Sequence, residues 1–156
     1  MGFDLRGLSP DNPQEIQRPV IDWDDEPTSQ EQTEYFKILE AYRKAVPGDY
    51  FRNNVWWWRP LWQCIGSSCD DILSEDDITG GYFNDGHTIS KEQAVAIAES
   101  MKSLIENGTI NDYKLEYDKS STALPEDDFM KNYSVTVDNL QEFIRFCEGS
   151  GGFEIW

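Results

Sequence analysis

A tryptophan-rich run at residues 49–62 constrains the fold of this chain more than any other feature of its sequence. The run reads DYFRNNVWWWRPLW and holds four of the six tryptophans. Aromatic side chains can fill a core by themselves, but arginine and asparagine among them need hydrogen-bond partners wherever they are buried. The run therefore predicts either a core that is tied together by polar contacts or a surface that binds a ligand.

Three consecutive tryptophans cannot all point the same way in a strand or a helix, so at least one ring must face outward or line a pocket. Arginines beside such rings can stack on them and donate forked hydrogen bonds to a carboxylate or phosphate. A pocket of this kind can bind a nucleotide-like anion even on an acidic protein, because it acts at contact range. Alternatively, the tryptophans form the core and the polar residues cap the following helix. The candidate ligand-binding residues are Tyr50, Phe51, Arg52, Asn53, Asn54, Trp56, Trp57, Trp58 and Arg59.

The charge of the chain is strongly negative, with 30 acidic side chains against 13 basic ones and a net charge of −17. This charge repels phosphate backbones and anionic membranes, so direct binding to nucleic acid or to a membrane is disfavoured. The 38% hydrophobic and 13% aromatic content nevertheless predicts a folded protein, with one domain over residues 1–156. The acidity fits an ordinary soluble protein or a decoy that docks onto a basic, nucleic-acid-binding partner.

The three cysteines are an odd count without a secretory signal, and no apolar run reaches membrane-spanning length. We therefore expect reduced thiols in a cytosol. Cys64 and Cys69 have no second Cys or His pair nearby, which favours small buried side chains over a zinc site. The sequence predicts neither a metal nor a cofactor.

Residue patterning predicts a mostly helical α+β domain with about four helices and a small sheet. Residues 2–8 alternate like a short strand, and we expect residues 152–156 to form a last strand that pairs with it. The Pro- and acid-rich residues 9–28 predict an extended or mobile segment. For residues 110–132 the sequence does not decide between a weak helix and irregular structure.

Helix signals place the first two helices on either side of the aromatic run. Ser29 with Gln32 has the form of a capping box, and the helix that follows ends at Pro47. Pro60 suits the first residue of the second helix. Residues 66–89, rich in glycine, serine and acids, predict a long loop.

Two further helices are predicted in the C-terminal half. Ser90 with Gln93 forms a capping box for a helix over residues 91–106. Thr136 is the expected cap of a last helix, which Gly149 closes.

The only histidine, His87, supports a third, enzymatic hypothesis in which Asp85 orients its ring. A turn residue beside a solvated imidazole explains the same pair more simply. Because the sequence lacks a Gly-x-Ser-x-Gly elbow and a cysteine with an oriented partner, we expect a protein that is not an enzyme.

Acidic clusters in loops are usually solvated, but a decoy would dock through them. The candidate partner-binding residues of that alternative are Asp70, Asp71, Glu75, Asp76 and Asp77.

Three segments mark a likeness to a known family: the start MGFD, the block YFRNNVWWWRPLW at residues 50–62 and the end GGFEI at residues 151–155. In these segments the chain resembles small uncharacterised proteins found mainly in bacteriophages. The resemblance implies expression in the cytoplasm of an infected host bacterium and a role accessory to phage growth. Some relatives carry Cys-x-x-Cys pairs before the last helix, which this chain lacks, so no metal site carries over.

These observations favour a non-enzymatic phage accessory protein that counters host defence or host physiology by binding. Its partner is either a nucleotide-like small molecule, captured by the aromatic run, or a host or defence-system protein, in the decoy alternative. An oligomer is compatible with both.

Overall fold

The computed structural model describes residues 1–156 and has six α-helices, one short 3₁₀ helix and a four-stranded antiparallel sheet. The α+β class is confirmed, but the expected count of about four helices is wrong. In chain order the elements are β1 (Gly2–Gly7), α1 (Ser29–Ala45), β2 (Tyr50–Asn54), α2 (Val55–Ser68), α3 (Glu75–Gly80), β3 (His87–Ile89), α4 (Lys91–Glu106), α5 (Thr109–Thr122), the 3₁₀ helix (Phe129–Asn132), α6 (Val137–Ser150) and β4 (Phe153–Ile155). No helix is both long and apolar enough to cross a membrane.

The sheet has the strand order β2-β1-β4-β3 and joins the two ends of the chain. Strand β1 pairs with β4 in antiparallel register, with Leu5 opposite Ile155, which confirms the expected pairing of the terminal strands. Both of these side chains are fully buried, as are Phe3 and Phe153. Because the side chains of a strand alternate between faces, these residues give the sheet a single apolar face, which α2 and α6 cover.

Two of the predicted helix caps are confirmed, and two differ by one or two residues. Ser90 caps α4 with Gln93, and Thr136 caps α6. The box of α1 is formed by Thr28 and Glu31 and not by Ser29, because Thr28 has an extended backbone and Ser29 is already helical. Helix α6 runs past Gly149 and ends at Gly151, whose φ of 66° is left-handed.

Helix α2 begins at Val55, five residues before the expected start at Pro60. Asn54 caps it by accepting a hydrogen bond from the backbone N–H of Trp57 at 3.2 Å. Pro60 therefore lies inside the helix, where it cannot donate to the carbonyl of Trp56. That carbonyl instead accepts the backbone N–H of Ser134 at 3.0 Å, so a distant segment supplies the donor that proline lacks.

Two stretches are more ordered than the sequence suggested. The prediction of a long loop over residues 66–89 is wrong, because this stretch contains α3 and β3. Helix α3 is short and acidic in its first turn, and β3 is only three residues long, so both depend on tertiary contacts rather than on local periodicity. The open stretch 110–132 forms most of α5 and then the 3₁₀ helix.

Residues 9–28 contain no helix or strand and lie along α1. Ile16 packs against a small cluster of Leu39, Tyr42 and Val46. The ring of Trp23 lies 6.0 Å from that of Tyr35, so the segment packs against α1. Its extended or mobile character stays a prediction.

Candidate functional site

The fold divides the predicted aromatic site, because residues 50–54 form strand β2 and residues 55–59 begin helix α2 with no loop between them. Trp58 is 0% exposed, and its Nε1–H donates to the carbonyl of Gly81 at 2.7 Å. Its ring stacks on that of Trp62, with 5.3 Å between centroids. Trp57 is 39% exposed, which confirms that one ring of the run must face outward.

The other residues of the run also have separate environments. Phe51 is buried against two phenylalanines of α6, and Asn53 has a buried Nδ2 with no hydrogen-bond partner. The exposed Arg52 guanidinium lies 3.6 Å from the carboxylate of Asp4. Trp56 packs edge-on against the ring of Phe129. The predicted residues therefore do not converge on one pocket: Tyr50 and Phe51 line one cleft, and Arg59 lines another.

The first cleft, which we call the cationic cleft, opens between α1, β2 and α6 and has a volume of about 500 Å³. Three basic residues line it, Arg43, Lys44 and Arg145, against two acidic ones, Glu40 and Glu142. Its local charge is therefore +1 on a chain whose net charge is −17. The remaining lining residues are Phe36, Leu39, Pro47, Tyr50, Phe51 and Phe146.

An arginine stacked on a tyrosine forms the centre of the cationic cleft. The guanidinium carbon of Arg43 lies 3.8 Å from the ring centroid of Tyr50. The hydroxyl of Tyr50 donates to Asp4, and burial together with this hydrogen bond raises the pKa of Tyr50. Arg43 forms no ion pair, since the two arginines that do are Arg18 and Arg52. Its guanidinium is thus oriented by stacking and left without an acidic partner.

The rest of the lining includes a second cation and an exposed aromatic ring. Lys44 lies 2.9 Å from Glu40 in an exposed pair that contributes little to stability, so its amine can turn towards a ligand at small cost. Phe36 is 54% exposed and lines the edge of the cleft. No serine, threonine, cysteine or histidine lines the cleft.

Sequence reasoning named Tyr50 and Phe51 of the cationic cleft but none of its basic residues. Arg43 and Lys44 lie in the last turn of α1, where cations are expected for helix-dipole reasons alone. Arg145 lies in α6, about a hundred residues away, and only the tertiary fold brings it to the same cleft. The one usable signal was that Arg43-Lys44 precedes the aromatic run across a tight Pro47 turn.

The partner of His87 is Asp77 and not Asp85, which is exposed. His87 Nε2 lies 3.0 Å from Asp77 Oδ1, while Asp77 Oδ2 accepts from Gln93 at 2.8 Å and from Ser74. Burial acts to raise the pKa of Asp77, but these hydrogen bonds outweigh it and lower the pKa. Since Asp77 and Gln93 belong to the capping boxes of α3 and α4, this network joins two helix starts.

Of the five acidic residues of the decoy alternative, four are exposed: Asp70, Asp71, Glu75 and Asp76. Asp77 differs, because both of its carboxylate oxygens are already hydrogen-bonded within the fold. It is therefore not available to a partner in the way that the other four are.

All three cysteines are buried, and burial raises the pKa of each thiol, that of Cys64 to about 11. These thiols are therefore inert packing groups. No group of three or more His, Cys, Asp or Glu side chains is arranged to hold a metal ion.

No protein-family model, curated protein or solved structure matches this chain.

Proposed function

We propose that this chain is a non-enzymatic binding protein that captures a nucleotide-like anion in the cationic cleft. The observation that carries the proposal is the guanidinium of Arg43, whose carbon lies 3.8 Å from the ring centroid of Tyr50 and which has no acidic partner. In the setting that the family resemblance implies, the protein would remove such a molecule from a host defence response in the bacterial cytoplasm.

Charge supports an anionic ligand. The chain has 13 basic residues, and three of them line this one cleft. On a surface that otherwise repels anions, such a concentration of cations is useful mainly at contact range, where forked arginine donors match phosphate geometry.

The aromatic lining supports a ligand with a planar ring. Tyr50 is already covered on one face by Arg43, whereas Phe36 lines the same cleft and is 54% exposed. Stacking of a base on such a ring contributes about 1–3 kcal/mol and depends little on base identity. The volume of about 500 Å³ falls in the range of small-molecule sites.

The test is calorimetric titration with ADP-ribose and cyclic AMP, with adenosine as the uncharged comparison. We expect micromolar binding of at least one anion, and a loss of about tenfold or more in Arg43→Gln because a forked, charge-assisted contact is removed. Arg59→Gln is the matched control, since Arg59 is also an arginine without an ion pair but lies outside the cleft. Absence of binding at about 1 mM, or equal affinities in Arg43→Gln and the wild type, would refute the proposal.

One observation favours the decoy as a second candidate function. Four exposed acids, Asp70 and Asp71 after α2 and Glu75 and Asp76 in the first turn of α3, form no ion pair within the chain. Reversing all four to lysine would abolish a salt-sensitive complex with a basic host protein in a pull-down, whereas Arg43→Gln would leave it intact. A complex that survives the reversal would remove this candidate.

A further inference from the structure

A second cleft, which we call the tyrosine cleft, shares no residue with the cationic cleft and has a volume of about 440 Å³. Four separate parts of the fold converge on it: helix α2, the turn after α3, helix α5 and the segment around the 3₁₀ helix. Its lining residues are Arg59, Pro60, Gln63, Tyr82, Tyr117, Met130 and Tyr133.

The proline inside α2 helps to build this cleft. Pro60 lies in its floor and leaves the carbonyl of Trp56 free to accept the N–H of Ser134, which ties the segment after the 3₁₀ helix to α2. The ring of Trp56 then packs edge-on against that of Tyr133, with 5.0 Å between centroids. The segment after the 3₁₀ helix is thus fixed to α2 by a backbone hydrogen bond and an aromatic contact.

The polar groups of the cleft have no partners within the protein. The hydroxyls of Tyr82, Tyr117 and Tyr133 form no hydrogen bond, in contrast to the hydroxyl of Tyr50, which donates to Asp4. Burial raises the pKa of Tyr82 and of Tyr117, so both remain O–H donors at neutral pH.

Arg59 adds one positive charge to these donors. It is exposed and forms no ion pair, since the paired arginines are Arg18 and Arg52. A guanidinium that lies among tyrosine rings disfavours a cationic ligand, so the cleft is not an aromatic cage for a quaternary ammonium. It favours one carboxylate, which can accept the forked donors of arginine and a phenolic O–H together.

We propose that the tyrosine cleft binds a small aromatic carboxylate. The carboxylate pairs with Arg59 and accepts from the phenolic hydroxyls, while the ring of the ligand packs against the tyrosine faces and the thioether of Met130. This site is independent of the proposed capture of a nucleotide-like anion, because the two clefts use different arginines.

The test uses indole-3-carboxylate as the probe and indole-3-carboxamide as its uncharged analogue, each titrated into the whole chain and followed by calorimetry and ligand-observed NMR. We expect the carboxylate to bind with a dissociation constant below about 1 mM, and the carboxamide to bind about tenfold more weakly or worse. Arg59→Gln should lose about tenfold, and Tyr117→Phe, which removes only the hydroxyl, about threefold or more.

Arg43→Gln is the control and should bind the carboxylate as the wild type does. Far-UV circular dichroism and thermal melts establish that each variant is folded; Arg59 is exposed and Arg43 is half-buried. Three results would overturn the proposal: no binding at about 5 mM, equal affinities for carboxylate and carboxamide, or an unchanged affinity in Arg59→Gln. Each of them can occur while nucleotide capture by the cationic cleft stands.

Discussion

Two adjacent tryptophans, Trp57 and Trp58, allow a sharp test of how the aromatic run is divided between core and surface. We expect Trp58→Phe to destabilise the fold strongly and Trp57→Phe to have almost no effect. Trp58 is 0% exposed and donates to the carbonyl of Gly81 at 2.7 Å, whereas Trp57 is 39% exposed on the outer side of α2. The same chemical change is thus made at neighbouring positions with opposite environments.

Two losses set the size of the effect at Trp58. Phenylalanine lacks the indole N–H, so the buried carbonyl of Gly81 loses its donor, which costs about 1–3 kcal/mol. The phenyl ring is also smaller by about 40 Å³, and the cavity adds about 1 kcal/mol at ~24 cal/mol per Å³. We therefore expect a loss of about 2–4 kcal/mol for Trp58→Phe and less than about 0.5 kcal/mol for Trp57→Phe.

Urea unfolding followed by far-UV circular dichroism measures both variants without relying on tryptophan emission. With a slope of about 2 kcal/mol per molar urea, the midpoint of Trp58→Phe should fall by about 1–2 M. The reasoning fails if the two variants shift the midpoint equally, or if Trp58→Phe loses less than about 1 kcal/mol.

Two further predictions concern the contacts around α3. A Cβ at Gly81 would lie 2.0 Å from a ring atom of the buried Trp62. Gly81→Ala should therefore lower the free energy of unfolding by about 2 kcal/mol or more. An unchanged thermal midpoint would contradict this. The pKa of Asp77 is lowered in the fold, so its stabilising effect is complete above the unfolded-state pKa near 4 and is lost as the pH falls through the folded-state value. The gap in urea midpoint between the wild type and Asp77→Asn should therefore be large at neutral pH and shrink below about pH 4; a gap that is constant with pH would count against this network.

The sequence predicted the elements whose signals are local. Helix α4 was found over its full length because Ser90 and Gln93 mark its start and a 3.6-residue apolar pattern follows. Pairing of the terminal strands was predicted because both alternate and neither had another partner. Helix α3 was missed, since its six residues carry a capping box but are too few for periodicity to show.

The start of α2 was misplaced because proline is a strong signal for a first helical residue. No residue near Pro60 in the sequence indicates that Ser134 supplies the missing donor to the Trp56 carbonyl. A proline at the sixth position of the helix could therefore not be predicted. The basic residues of the cationic cleft were missed for the same reason. They come from α1 and α6, which only the tertiary fold brings beside Tyr50.

The direct passage from β2 into α2 explains why one contiguous motif serves three purposes. Asn54 is both the last residue of the strand and the cap of the helix, so the backbone geometry changes between two adjacent residues. In the helix, Trp58 and Trp62 are four residues apart and share the face that is buried in the core, while Arg59, about 100° further round, lies on the surface beside the tyrosine cleft. In the strand, Tyr50 is held at the other cleft beneath Arg43. A run of residues that looks like one binding motif along the sequence therefore stabilises the core with the indoles of Trp58 and Trp62 and lines two separate clefts from its two ends. This division is what the paired Arg43→Gln and Arg59→Gln variants measure.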